Sequence, residues 1–170
     1  MTNILFCGIG GQGVLTASEI CCTAALLQGC HVKKSEVHGM AQRGGSVESH
    51  VRISSRGEPI YSPLIIPGEA DYLVCFHADE AKRLGRYLKP QGVDFLPCLE
   101  AFAEEGMDSR FLNTHCLGVL SAFLTLDQEN WMSALHTVFR RAREENRRVF
   151  EKGRRLGLKA NGRPNGTATG

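Results

Sequence analysis

In the first forty residues, a short apolar run is followed by apolar residues at helical spacing and then by a second segment with a strand pattern. The run Asn3–Gly8 predicts a strand, and it leads directly into the glycine-rich segment Gly8–Gly13. Apolar residues at helical spacing follow, and Gly29 stands where a left-handed C-terminal cap belongs. Cys30–Val37 predicts a second strand. This order predicts a β-α-β unit in which the two strands form a parallel pair.

The rest of the chain continues to alternate between strand and helix patterns. Apolar and polar residues alternate over Val47–Ser54, which predicts a half-buried strand. A loop with three prolines is expected over Glu58–Pro67, and a central strand over Asp71–Phe76. The other predicted elements are a helix over Ala78–Leu88, a strand over Val93–Leu96, a buried helix over Cys116–Leu126 capped by Asn113 or Thr114, and a long basic helix from Asp127 to near Gly153 or Gly157.

These elements predict an α/β fold, a single Rossmann-like domain with a mostly parallel sheet flanked by helices and a long C-terminal amphipathic helix. We place the domain at residues 1–158, because residues 159–170 contain almost nothing apolar and predict a disordered tail. A chain of 170 residues buries roughly two thirds of its unfolded surface. One core therefore suffices without disulfides or metals.

Composition predicts a cytoplasmic protein with no membrane contact. Hydrophobic residues make up 42% of the chain, yet no uncharged stretch reaches the ~20 apolar residues of a membrane span. The segment Met1-Thr2-Asn3 lacks the basic region of a secretion signal. The seven cysteines are odd in number, lie mostly in apolar runs and include no Cys-x-x-Cys pair. We therefore expect them to be core residues, and we expect this chain to hold no metal cluster.

Charge is concentrated at the C-terminal end. Residues 140–170 contain ten Lys or Arg and three Glu, a net charge of +7, which leaves −5 for the rest of a chain whose net charge is +2. Apolar residues recur between these charges at near-helical spacing, which predicts an amphipathic helix with a solvated basic face. Nucleic-acid binding is not expected, because neither aromatic platforms nor a recognisable module accompany the charge.

The glycine-rich segment is the first candidate site. Gly8-x-Gly10-x-x-Gly13 fits the dinucleotide fingerprint, and Glu36 lies 23 residues beyond Gly13, near the position of a ribose-binding acid. The alternative is a tight turn that allows close helix-sheet packing with no dinucleotide bound. A helix N-terminus after such a turn favours anions. The candidate cofactor-binding residues are Gly10, Gly11, Gln12 and Gly13.

A second candidate is the loop between Ser35 and Ser46. It places a titratable ring, an amide and a permanent cation, His38, Gln42 and Arg43, beside two glycines. This combination suits a carboxylate or a phosphate, because guanidinium binds such anions through two parallel hydrogen bonds and glycine lets the main chain approach. An ordinary surface turn is the alternative. We predict catalytic contributions from His38, Gln42 and Arg43, and cofactor contacts from Gly44, Gly45 and Ser46.

The two segments together carry a resemblance to a known family. Four stretches resemble the small subunit of indolepyruvate ferredoxin oxidoreductase: Gly-Ile-Gly-Gly-Gln-Gly-Val-Leu-Thr-Ala-Ser-Glu at 8–19, Val-Lys-Lys-Ser-Glu-Val-His-Gly-Met-Ala-Gln-Arg-Gly-Gly-Ser-Val at 32–47, Tyr-Ser-Pro-Leu at 61–64 and Gly-Glu-Ala-Asp at 68–71. This small subunit is the gamma-type domain of the 2-oxoacid:ferredoxin oxidoreductases. The resemblance continues through Asn113–Gly118 and Glu145–Gly153, so it covers most of the chain. The segment Pro90–Leu112 departs from the pattern, and its Pro97-Cys98-Leu99 stretch matches nothing in it.

The resemblance implies a specific reaction and a division of labour. An arylpyruvate such as indolepyruvate is oxidatively decarboxylated with coenzyme A to an aryl-acetyl-CoA, and electrons pass to ferredoxin. The thiamine diphosphate and 4Fe-4S clusters belong to a large partner subunit. This chain has neither a Gly-Asp-Gly thiamine signature nor cluster-binding cysteines. We therefore expect an accessory subunit that is inactive without its partner.

Two other functions stay open from the sequence. An independent NAD(P)-binding Rossmann-type dehydrogenase would use the glycine turn alone. A non-catalytic scaffold domain would use the fold only for contact with other subunits.

Overall fold

Five strands form one central sheet in the computed structural model, which describes residues 1–39 and 44–162. In spatial order they are β2 (His31–His38), β3 (Ser46–Ser54), β1 (Thr2–Ile9), β4 (Ala70–Cys75) and β5 (Leu88–Asp94). The α-helices of the described residues are α1 (Val14–Leu27), α2 (Ala78–Leu84), α3 (Leu96–Glu104), α4 (Leu112–Ser121), α5 (Gln128–Val138) and α6 (Arg143–Ala160).

The predicted α/β class with a mostly parallel sheet is confirmed, since four strands run in one direction and only β3 of the described strands runs against them. The predicted pairing of the first two strands is wrong. β3 lies between β1 and β2 and pairs antiparallel with both. The connection from His38 to Ser46 is long enough for a hairpin but too short for the crossover that a parallel pair needs.

Several element boundaries differ from the sequence prediction. The predicted helix after β4 ends at Leu84, because a 3-10 turn over Gly85–Tyr87 leads the chain into β5. The predicted strand at Val93 covers only the end of β5, and α3 was not predicted. The buried helix α4 begins at Leu112, ahead of both predicted caps, and all of its residues are buried.

A single long helix from Asp127 is also wrong. The chain forms α5, breaks, and resumes as α6 after Ala142, which has a φ of +51°. α6 continues past both predicted stop positions. Gly153 and Gly157 do not end it but let its backbone approach α4, where a Cβ on Gly153 would overlap the carbonyl oxygen of His115.

The two faces of the sheet bury different cores. One face packs Ile4, Phe6 and Val51 under helices that include α1 and α4. The other face packs Leu5 and Leu73 beneath α2. Alternate residues of β1 therefore point to different helices, as the pleat of a strand requires.

The C-terminal boundary of the domain stays a prediction. α6 reaches Ala160, which is two residues beyond the predicted end of the domain, and residues 163–170 lie outside the described residues. Within residues 1–39 and 44–162, no helix combines the length and apolar character required to cross a bilayer.

Candidate functional site

The glycine turn between β1 and α1 lies at the edge of the sheet where β1, β2, β4 and β5 end. Gly11 and Gly13 have φ angles of +97° and +79°, which glycine adopts without steric cost. Gly13 is the N-cap of α1, and its carbonyl accepts a hydrogen bond of 3.5 Å from the Asn113 amide of α4. A Cβ on Gly13 would overlap that amide. The turn therefore requires glycine for its backbone conformation and for its contact with α4.

The side chain of Gln12 stabilises this turn through two hydrogen bonds. Its Oε1 accepts a hydrogen bond of 2.9 Å from the Ile9 amide, and its Nε2 donates one of 2.7 Å to the Phe76 carbonyl. These contacts join the end of β1 to the end of β4. The Gln12 side-chain amide thus holds the turn, and its predicted contact with a cofactor stays a prediction.

The glycine turn and the second candidate loop meet. The Gly10 amide donates a hydrogen bond of 2.9 Å to the Gly45 carbonyl, and the Gly39 amide donates one of 2.7 Å to the Ser46 carbonyl. A Cβ built on Gly11 or Gly44 would meet none of the described atoms within 4 Å. The two sequence-predicted segments are thus joined through their main chains by the hydrogen bond from Gly10 to Gly45.

Ser46 belongs to a polar network that the sequence analysis missed. Its hydroxyl donates to Glu80 on α2 at 2.6 Å and accepts from Arg83 Nη2 at 2.6 Å. The same Arg83 nitrogen donates to Glu48 on β3 at 2.7 Å and to Glu80 at 2.6 Å. The network ties the end of the loop to α2. The i, i+3 spacing of Glu80 and Arg83 in the predicted helix was the available signal.

Hydrogen bonds keep both carboxylates of this network ionised. His50 and then Arg83 donate toward Glu48 and lower its pKa, although burial opposes this. Burial also works against ionisation of Glu80, but hydrogen bonds from Arg83 and Ser46 prevail and lower its pKa. His50 in turn accepts a hydrogen bond of 3.2 Å from the Ile65 amide through Nδ1, and its Nε2 lies 3.5 Å from Glu48.

Of the other predicted side chains, His38 lies apart from this network. His38 ends β2 with an exposed side chain, and its Nε2 lies 3.7 Å from Glu36. Glu36 also pairs with Lys34 at 3.1 Å. Gln42 and Arg43 lie outside the described residues, between Gly39 and Gly44.

The position of Glu36 disfavours a dinucleotide site. In the Rossmann arrangement the ribose-binding acid ends the strand beside β1. Here β3 occupies that place, so β2 lies two strand spacings, about 10 Å, from β1. Glu36 is also engaged by Lys34, as described above.

The N-terminus of α1 suits an anion. It has no side-chain cap and no acidic residue in its first turn, so its free amides and the positive end of the helix dipole face the glycine turn. The N-terminus of α2, at the same edge, is capped by His77 and has Asp79 and Glu80 in its first turn. No cluster of side chains suited to a metal ion occurs in the part of the chain that the structure describes.

Comparison with known proteins identifies the family. A model of the pyruvate ferredoxin/flavodoxin oxidoreductase family matches residues 3–97. The chain belongs to this family. The match contains both the glycine turn and the loop that meets it, and the resemblance predicted from those segments is confirmed.

Individual relatives agree with this assignment. Subunit IorB of the indolepyruvate oxidoreductase from Thermococcus kodakarensis is 45% identical over 93 residues, which are 55% of this chain and 45% of that protein. IorB from Archaeoglobus fulgidus is 48% identical over 86 residues, which are 51% of this chain and 41% of that protein. The chain thus spans less than half the length of these curated relatives.

A solved structure matches over the whole fold. The gamma subunit of a keto/oxoacid ferredoxin oxidoreductase from Geobacter sulfurreducens superposes with a TM-score of 0.71 and 25% identity. The match covers 94% of this chain and 99% of that subunit. The position of β3 between β1 and β2 and the helices beyond residue 97 therefore lie in the region that matches this gamma subunit.

Proposed function

We propose that this chain is the small, gamma-type subunit of an indolepyruvate or arylpyruvate ferredoxin oxidoreductase. In this proposal a large partner subunit carries thiamine diphosphate and 4Fe-4S clusters, coenzyme A is the co-substrate, and ferredoxin receives the electrons through the complex. Similarity to two IorB subunits supports the substrate class.

The contribution of this chain is to hold an anionic group at the carboxyl edge of the sheet. Thiamine diphosphate, when bound to the partner, would supply the electron sink for decarboxylation of a 2-oxoacid. The glycine turn offers main-chain amides and the N-terminus of α1. The anion is the carboxylate of the 2-oxoacid, a phosphate of coenzyme A or the diphosphate of thiamine.

The hydrogen bond from Gly10 to Gly45 is the observation that carries this proposal. It joins the turn at the start of α1 to Gly45, which follows Arg43 by two positions in the sequence. A guanidinium next to free amides forms a set of donors that matches a carboxylate or a phosphate. Ser46, held by Glu80 and Arg83, anchors the end of this loop.

Replacement of Arg43 by Ala in the reconstituted complex tests the proposal. A charge-assisted hydrogen bond contributes about 1.5–3 kcal/mol, so we expect the apparent KM for the 2-oxoacid or for coenzyme A to rise roughly tenfold or more. Steady-state reduction of a dye, with the 2-oxoacid, coenzyme A and thiamine diphosphate varied in turn, measures the effect and identifies the anion. Arg56→Ala removes an exposed arginine outside the site and is the matched control.

Two outcomes would contradict the proposal. Unchanged KM values for both substrates, together with unchanged activation by thiamine diphosphate, would remove the anion-binding role and favour a scaffold. Oxidation of indolepyruvate by the isolated chain would show that catalysis does not require the large partner subunit.

A further inference from the structure

Two cysteine sulfurs outside the candidate site are in contact. Sγ of Cys98 on α3 lies 3.5 Å from Sγ of Cys116 on α4. Both cysteines are buried and reduced, and one thiol donates a hydrogen bond to the other. Residues 98 and 116 lie beyond the family match at 3–97, and Cys98 belongs to the stretch that matched nothing in the family pattern.

The surroundings favour a thiolate at Cys98. The residue lies in the first turn of α3, just after Pro97, where the helix dipole stabilises negative charge. The hydrogen bond with Cys116 lowers the pKa of Cys98, against the effect of burial, and His115 acts in the same direction. The same contact and complete burial raise the pKa of Cys116.

His115 provides a second unusual group beside the pair. Its side chain is buried, its ring packs on Phe102 at 5.3 Å between centroids, and neither ring nitrogen has a hydrogen-bond partner among residues 1–39 and 44–162. Buried polar atoms are usually paired. A buried imidazole therefore borders the sulfur contact, where it favours the thiolate form of Cys98.

We propose that Cys98 and Cys116 are an oxidative modification site, a dithiol that a peroxide converts to an intramolecular disulfide. The Cys98 thiolate attacks one peroxide oxygen, so that an S–O bond forms, the O–O bond breaks, and the released hydroxide takes up a proton as water. The Cys116 sulfur then attacks Cys98, so that the S–S bond forms, the S–O bond breaks, and the Cys116 proton leaves with the oxygen as a second water. The two thiols lose two electrons and the peroxide gains them.

The geometry requires little movement. A disulfide has an S–S length of about 2.05 Å, so the sulfurs must approach each other by roughly 1.5 Å. Rotation about the side-chain bonds of two neighbouring helices can supply this approach. The product would link α3 covalently to α4.

Peptide mapping of the oxidised full-length chain tests the proposal. The reduced protein is treated with hydrogen peroxide at pH 7, free thiols are blocked, and a non-reducing digest is analysed by mass spectrometry. We expect a cross-linked peptide pair containing Cys98 and Cys116 that dithiothreitol separates. Cys30 is the internal control, because it has the same 7% exposure as Cys98 but a raised pKa. Cys98 should lose its free thiol several-fold faster than Cys30.

Two variants identify the order of events. Cys116→Ser should stop the reaction at a Cys98 sulfenic acid that dimedone traps, and Cys98→Ser should give neither the trapped adduct nor the disulfide. The proposal is overturned if Cys30 reacts as fast as Cys98, or if the disulfide joins other cysteines. The wild-type map decides between these outcomes even if a variant fails to fold.

Discussion

The two faces of the central sheet are attached to their helices by different interactions. On the α1 face most contacts are apolar, and α4 and α6 pack through glycines that bring their backbones together. On the α2 face, β3 presents Glu48 and His50; Arg83 links Glu48 to α2, and His50 lies beside Glu48. Shape complementarity stabilises one face, and hydrogen-bonded charges join strand to helix on the other. The ionic face adjoins the candidate site, so that the charges that hold α2 also hold the end of the loop.

A substitution at the α4–α6 contact should cause the largest loss of stability on either face. A Cβ on Gly118 would overlap the Phe150 carbonyl oxygen, so Gly118→Ala must separate two helix backbones. We expect the free energy of unfolding to fall by about 3 kcal/mol, the upper end of overpacking costs. Urea unfolding followed by circular dichroism measures it. Gly85→Ala is the control, because no described atom lies within 4 Å of its added Cβ; equal losses at both positions would show that the backbone contact is unimportant.

Removal of the cation on the other face should have a smaller effect. Arg83→Met leaves two mostly buried carboxylates, Glu48 and Glu80, without their guanidinium. The Arg83 side chain is 41% exposed, so water replaces part of the interaction, and we expect a loss of about 1–2 kcal/mol. The same urea titration measures this loss. Lys82→Met, on a 76% exposed neighbour, is the control and should change little. Equal stability of the two variants would show that the network is incidental.

The pH dependence of stability should show a smaller difference, which comes from the carboxylates on the α2 face alone. The pKa values of Glu48 and Glu80 are lowered in the folded protein, so their stabilisation is present above the unfolded carboxyl pKa of roughly 4 and is lost as the pH falls through the folded values. Below about pH 5, we expect the urea concentration at the unfolding midpoint of the wild type to decrease as the pH falls. In Arg83→Met this decrease should be less steep. Parallel profiles for the two proteins would contradict this assignment.

Local patterns predicted much of the fold because most elements are set by neighbouring residues. The run before Gly8 and the helix closed by Gly29 are examples, since turn chemistry and apolar spacing define both. The position of β3 in the sheet depends on pairing between strands that are distant in sequence. The spacing of apolar residues along the chain does not determine that pairing. Gly153 and Gly157 misled the prediction of helix ends, because their role depends on a helix that contacts them across the fold.

The candidate site was predictable in its segments but not in its connections. Glycine turns and an arginine-containing loop are recognisable in sequence, and the hydrogen bond from Gly10 to Gly45 then joins them. Glu48 and His50 occupied the polar positions of an alternating strand, which usually face solvent. They are buried because α2 and the segment around Ile65 cover this side of β3.

The contact between Asn113 and Gly13 has a consequence for where this protein can be divided. Residues 3–97 match the family model, but the amide that fits against the start of α1 comes from beyond them. A fragment cut at the end of that match would lose α4 and expose the apolar side of β1 to water. The end of the family match is therefore not a border at which the fold can be cut.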